Sequence, residues 1–193
     1  MLQATTDASS GAMFDAPPFA FRPGEYRIRR AQAAWERAGC AALRRTVFCG
    51  EQGLFDGDDT DELDGVAIAL AAIACVAGQP ETVVGTVRIH RDADGIWWGS
   101  RLAVARDYRR AAWLGSALIG FAVGHARALG CRRFLARVQQ ANVPLFTRLH
   151  WQSLAAVEVR GAPHALMAAD LDRYPAVPQT DIALYPAQQT ETA

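Results

Sequence analysis

Leu102-Ala103-Val104-Ala105-Arg106-Asp107-Tyr108-Arg109-Arg110-Ala111-Ala112-Trp113-Leu114-Gly115-Ser116-Ala117-Leu118 is the stretch whose reading decides the fold. It opens on apolar residues suited to a strand and closes on a helical repeat. Leu114, Leu118, Phe121, Ala122, His125 and Leu129 share one face until Gly130 stops the helix. A strand therefore feeds a helix through a short, arginine-rich loop. The first N–H groups of a helix lack partners within it, and its dipole places positive charge at the same end, so this loop suits an anion. Gly115 permits close backbone approach, and Arg109 and Arg110 add charge. His125, on the apolar face, reads as a satisfied core histidine.

Working toward the N-terminus, residues 96–105 form a strand rich in Trp, Leu and Val, preceded by a turn at residues 92–95. Residues 66–76 and 82–91 form two more strands, joined through Gly78, Gln79 and Pro80 as a hairpin. Residues 55–65 carry Asp56, Asp58, Asp59, Asp61, Glu62 and Asp64 and read as a solvated loop able to attract a cation. No register of that loop places glycine where a calcium loop needs it, so no metal is implied. Trp35, Ala38, Ala42, Leu43, Thr46 and Val47 mark one face of a helix ending near Gly50 or Gly53, after a short strand at residues 26–30. Residues 1–21 show no periodicity and read as a loose arm.

Toward the C-terminus, a strand at residues 134–138, a helix at 143–151 and a hairpin from 154–159 and 165–171 complete the pattern. The expected class is α/β (α+β), in the order β-α-β-β-β-α-β-α-β-β. One folded domain would occupy residues 22–175, with a tail at 176–193.

The 193 residues suffice for one continuous core, and Lys plus Arg equals Asp plus Glu at 20 each. Without a net basic field, nucleic acid is not an expected partner. The longest apolar run is too short to span a bilayer and the N-terminus lacks the pattern of a signal peptide, so no membrane partner and a cytoplasmic location are expected. Cys40, Cys49, Cys75 and Cys131 show no metal-site spacing and read as reduced thiols.

The element order and the loop at residues 108–118 together resemble the GNAT superfamily of acyl-CoA-dependent N-acyltransferases. In that family an Arg/Gln-x-x-Gly-x-Gly/Ala loop turns its N–H groups toward the coenzyme pyrophosphate, and Arg110, Trp113 and Gly115 take those places here. Trp113 departs from the expected glycine. Leu43-Arg44-Arg45-Thr46-Val47-Phe48 with Glu51-Gln52-Gly53 is similar to the first helices of a GNAT subgroup and of acyl-homoserine lactone synthases. The acidic loop, with Ala165-Leu166-Met167 and Asp170-Leu171, resembles N-acetyltransferases associated with nitrogen starvation.

The resemblance implies acetyl transfer from acetyl-CoA to the primary amine of a small molecule. The alternatives are a non-catalytic acyl-CoA-binding module and a lactone-synthase-like acyltransferase. It places the coenzyme on Leu102, Ala103, Val104, Arg109, Arg110, Ala111, Ala112, Trp113, Leu114, Gly115, Ser116, Asn142 and Phe146. Backbone N–H groups at residues 102–104 would receive the thioester carbonyl. Phe146 stands where the family's acid tyrosine would be, leaving Tyr108 and His150 as substitutes. Glu51 is the first choice of base and His90 the second. A homodimer is left open.

Overall fold

The computed structural model describes residues 23–109 and 113–186. The expected arm at residues 1–21 and the loop residues Arg110, Ala111 and Ala112 lie outside them. In chain order the elements are β1 (Glu25–Arg30), α1 (Ala34–Arg44), β2 (Ile68–Val76), β3 (Gln79–Arg91), β4 (Trp97–Val104), α2 (Trp113–Ala128), β5 (Phe134–Gln139), α3 (Val143–Arg148), β6 (Trp151–Val159), β7 (Ala162–Ala169) and β8 (Asp181–Leu184). The strands form one sheet in the order β6-β7-β5-β4-β3-β2-β1-β8. Every neighbouring pair is antiparallel except β4 with β5. The structure thus shows the α/β order read from the sequence, with β8 added from the segment read as a tail.

Side chains alternate across the pleat, so each strand serves two layers. Ile28, Leu70, Ile89, Trp97, Phe134, Ala136 and Val138 join Leu114, Leu118, Phe121 and Ala122 of α2 in the larger core. Ala71, Ile73, Val83 and Ala103 face the other way, against Cys40 and Leu43 of α1. Helix α2 is buried as expected, with His125 4% exposed and stacked on Phe121. Leu129, expected on that face, is exposed.

Helix α1 corrects the sequence reading. Its buried residues are Glu36, Cys40, Leu43 and Arg44, while Trp35 is 42% exposed and Ala38, Ala42 and Thr46 face solvent. The covered face is rotated because two of its residues are charged and paired. Glu36 accepts from the N–H groups of Gln32 and Ala33 and meets Arg29 at 2.5 Å, and Arg44 meets carboxylates described below. The chain then widens into a π-helical turn over Arg45–Glu51, closed by the N–H of Gln52 donating to the carbonyl of Val47. The hairpin between β2 and β3 turns on Ala77 and Gly78, both at positive φ, and Pro80 already lies in β3.

Candidate active site

Pairing between β4 and β5 lasts only through Trp97–Phe134, Trp98–Leu135 and Gly99–Ala136. Beyond Gly99 the strands separate, and β4 has no strand partner on the β5 side. Two residues of β4, Arg101 and Leu102, oppose Val87 of β3 in a bulge, and Arg101 sits at φ 55°. Gly99 allows the closed end to pack, since a Cβ there would stand 2.9 Å from the Phe134 ring. A cavity of about 530 Å³ occupies the splay and reaches both layers.

The wall on the α2 side is apolar, built from Ile119, Ala122, Phe134, Phe146 and Trp151. Phe146 is buried, edge-on to Trp151 at 5.0 Å. Asn142 and Leu102 also line the cavity. The opposite wall is polar and carries the charge of Arg88 and Arg137, which with His90 and Trp98 alternate with core residues of β3, β4 and β5.

The acidic loop closes this charged wall, and here the structure corrects the expectation of a solvated loop in part: Asp56, Asp58 and Glu62 are exposed as expected, but Asp59, Asp61 and Asp64 turn inward. Asp59 is 1% exposed. Arg44 meets Asp59 at 2.8 Å and Asp64 at 2.5 Å; Arg88 meets Asp61 at 2.5 Å and Asp64 at 3.0 Å; Arg101 meets Asp59 at 2.7 Å and Asp61 at 3.1 Å. Three carboxylates that could have drawn a cationic acceptor are instead spent on three arginines. Hydrogen bonds from Arg88 hold the Asp61 carboxyl below its ordinary range. Burial works to raise Asp64, but hydrogen bonds, that of Arg44 foremost, hold it well below that range. Phe55, next to this network, lies between Arg101 at 4.5 Å and Arg160 of the β6–β7 turn at 4.3 Å.

His90 is half-buried at the cavity, and its Nδ1 is buried without a hydrogen-bond partner. Burial, and secondarily the charge of Arg88, lowers its pKa below the usual histidine value, while Asp92 and Asp61 act weakly the other way. An uncharged imidazole facing the cavity can take a proton. Glu51 is placed differently: it is exposed, does not line the cavity, and meets Arg109 at 2.7 Å. Tyr108 packs edge-on to Tyr26, and exposed His150 lies in the turn after α3; neither lines the cavity.

At the open end of the splay, β4 ends and α2 begins. Arg109 donates from Nε to the carbonyl of Val104 at 2.8 Å. Gly115 leaves room, since among the described residues a Cβ there would touch only Val104, at 3.9 Å. Trp113 packs edge-on to Tyr26 at 5.1 Å, Leu114 and Ala103 are buried in the two cores, and Ser116 is half-buried in the first turn of α2. Of Leu114 and Ala103, only the main chain is available to a ligand. Sequence reasoning missed Arg88, Trp98, Arg101 and Arg137. The alternation Arg88-x-His90 was a readable sign that both share a face, whereas the pairing of Arg101 across the bulge had none.

A half-open sheet whose one parallel pair splays around a cavity, with a helix starting at its open end, defines an acyl-CoA-dependent acyltransferase fold. The family model of the acetyltransferase (GNAT) family matches residues 31–151, and the chain belongs to that family. Among solved structures it is similar to a presumed N-acetyltransferase from Lactobacillus plantarum, at 22% identity and a TM-score of 0.67, over 76% of this chain and 98% of that one. It is also similar to an acyl-CoA N-acyltransferase from Pseudomonas aeruginosa, at 19% and 0.60, over 75% and 98%. A third is FeeM, an N-acyl amino acid synthase from uncultured soil microbes, at 15% and 0.61, over 79% and 95%. At these identities the likeness bears on the fold. No curated protein sequence matches the chain. None of its described helices is long and apolar enough to cross a membrane.

Proposed function

We propose that this acyltransferase moves an acetyl or other short acyl group from acetyl-CoA to the primary amine of a small molecule, with His90 as the base. One observation carries the reading: the half-buried His90 ring, its charged form disfavoured by burial and its Nδ1 buried without a partner, lines a cavity in the splay, across from an apolar wall. Acyl-CoA supplies an activated carbonyl carbon on a thiol leaving group. His90 takes a proton from the acceptor ammonium, and the freed amine attacks that carbon, so that a C–N bond forms as the C–S bond breaks and the new amide nitrogen sheds its second proton to solvent. Main-chain groups of Leu102 to Val104 at the open edge of β4 face the carbonyl oxygen, and Asn142 and Phe146 border the coenzyme arm. Gly115 and its neighbours hold the pyrophosphate. No side-chain acid is required, since a thiol with a pKa of roughly 8.5 leaves as thiolate near neutrality and takes its proton from solvent.

The non-catalytic coenzyme-binding module is the second reading, favoured by Phe146, which presents no hydroxyl to the cavity. Release of coenzyme thiol across a panel of primary amines separates the two; binding without release on any amine selects the module. With an active amine, His90→Gln is expected to lower kcat by about 100-fold. In the wild type the rate holds through neutrality and falls only as acid protonates His90, at a pH below the usual histidine value. A Gln variant that keeps both the rate and the acid limb places the base elsewhere.

A further inference from the structure

Three arginines line the cavity, and their partners differ. Arg88 and Arg101 are each neutralised by aspartates of the loop. Arg137 makes no ion pair among the described residues. Its guanidinium instead lies over the Trp98 ring, 4.9 Å from the centroid. That ring is itself fixed, because its Nε1 donates to Asp92 at 2.7 Å, and Asp92 also accepts from the N–H of Ile96 at 2.8 Å. Trp98 pairs with His90 across β3 and β4 and with Leu135 across β4 and β5. His90, Trp98 and Arg137 therefore occupy neighbouring strands on the same wall. A stacked guanidinium keeps its N–H edge free, and that edge fits a planar carboxylate with two parallel hydrogen bonds.

Resting on the acyl-transfer reading above, we infer that the acceptor carries a carboxylate beside its amine, as an amino acid does, and that Arg137 binds it. The two charged ends of such an acceptor meet different groups on one wall. The ammonium faces the neutral imidazole that deprotonates it, and the carboxylate faces the cation that has no partner. Asp61, Asp64 and Asp59 do not compete for either end, being held by Arg44, Arg88 and Arg101. The apolar side chains of Leu54, Phe55 and Leu63 complete the mouth of the wall and suit the rest of the acceptor. An anion on the coenzyme is the other source of negative charge that Arg137 could meet, and the test separates it.

The full-length protein is assayed with acetyl-CoA against the standard amino acids and against the amines made by removing their carboxylate. For the best amino acid, kcat/KM is expected to exceed that of its decarboxylated amine by about 10- to 100-fold, the range of a charge-assisted bidentate contact. Arg137→Gln removes that advantage by raising KM for the amino acid, without raising the Kd for coenzyme A; Arg137→Lys restores part of it. A wild type indifferent to the carboxylate overturns the inference, as does an Arg137→Gln variant that still discriminates. So does a rise in the Kd for coenzyme A, which assigns Arg137 to the coenzyme. If neither series is acylated, the acyl-transfer reading fails on its own. Thermal melts of coenzyme-saturated protein then decide: stabilisation by an amino acid in the wild type but not in Arg137→Gln supports the inference, and its absence in the wild type refutes it.

Discussion

The two walls of the cavity lie on opposite faces of one sheet and differ in what holds them. On the α2 side Phe134, Phe146, Trp151, Ile119 and Ala122 exclude water by apolar packing, with Phe134 and Phe146 both edge-on to Trp151. On the α1 side Arg44, Arg88 and Arg101 are held against Asp59, Asp61 and Asp64, and the wall is organised by ion pairs whose arginines and Asp59 are largely buried while Asp61 and Asp64 are partly exposed. An apolar wall is tolerant, since side chains of similar volume replace one another at modest cost. A buried charged wall is not, because every member depends on its partner. The difference fits a site that handles an uncharged acyl group on one side and a charged acceptor on the other.

The sharpest way to break the contrast is to remove one cation. Arg44→Ala leaves Asp59, 1% exposed, with one arginine fewer and strips Asp64 of its strongest partner. The expected loss is about 3–5 kcal/mol of unfolding free energy, read by denaturant titration. Phe146→Leu on the other wall is the comparison, and should cost less. The pH dependence sharpens it. Asp61 and Asp64 have folded pKa values below their unfolded ones, so their contribution is complete above about pH 4 and is lost as acid takes the pH lower. The Arg44→Ala protein should show a shallower acid limb. A variant as stable as the wild type, with the same limb, would mean that the ion pairs merely fill space.

This contrast also explains what was legible in the sequence. The α2 wall announced itself through Leu114, Leu118, Phe121 and Ala122, whose period is local and whose residues are apolar, and the strand order followed from similar runs. The helix face of α1 was misplaced because Glu36 and Arg44 look like solvent residues until their partners are known. Arg44 and Asp59 are 15 residues apart, and Arg101 and Asp59 are 42 apart. Ion pairing across a bulge at that separation leaves no periodic trace, so a string of aspartates reads as solvated although three of them close a wall. Strand β8 escaped for a related reason: Asp181-Ile182-Ala183-Leu184 is too short to stand out until β1 offers an edge.

The open end of the splay gives the next test, where the expected effect is smaller. At about 100 times Kd, coenzyme A should stabilise the wild type by roughly 2.7 kcal/mol, a rise of about 5–10 °C in Tm. Gly115→Asp is expected to melt cooperatively without ligand and to lose nearly all of that rise, since it sets a carboxylate against the pyrophosphate. Gly115→Ala is the control, because among the described residues its Cβ would touch only Val104 at 3.9 Å. An Asp variant that responds like the wild type would move the pyrophosphate site away from α2, and with it the orientation assigned to both walls.

The smallest effect belongs to Glu51, where two roles make opposite predictions. Sequence reasoning gave it the proton relay, in which case Glu51→Gln lowers turnover and leaves coenzyme affinity alone. Its position suggests a holder instead: the carboxylate meets Arg109 at 2.7 Å, and Arg109 in turn donates to the carbonyl of Val104, where β4 leaves for α2. The two side chains are 28% and 40% exposed, so the pair is solvent-screened and should contribute no more than about 1 kcal/mol to stability. Removing the negative charge frees Arg109 for the pyrophosphate, so the Kd for coenzyme A should tighten by a few-fold, about 1 kcal/mol or less, with the gain fading at high salt. kcat at saturating coenzyme should stay within about two-fold of the wild type, as expected of a residue that makes no transition-state contact. Measuring kcat and the coenzyme Kd of one variant at two ionic strengths therefore decides the matter. A fall in kcat with an unmoved Kd returns the base to Glu51, draws the proton path away from the charged wall, and leaves His90 as a polar lining residue.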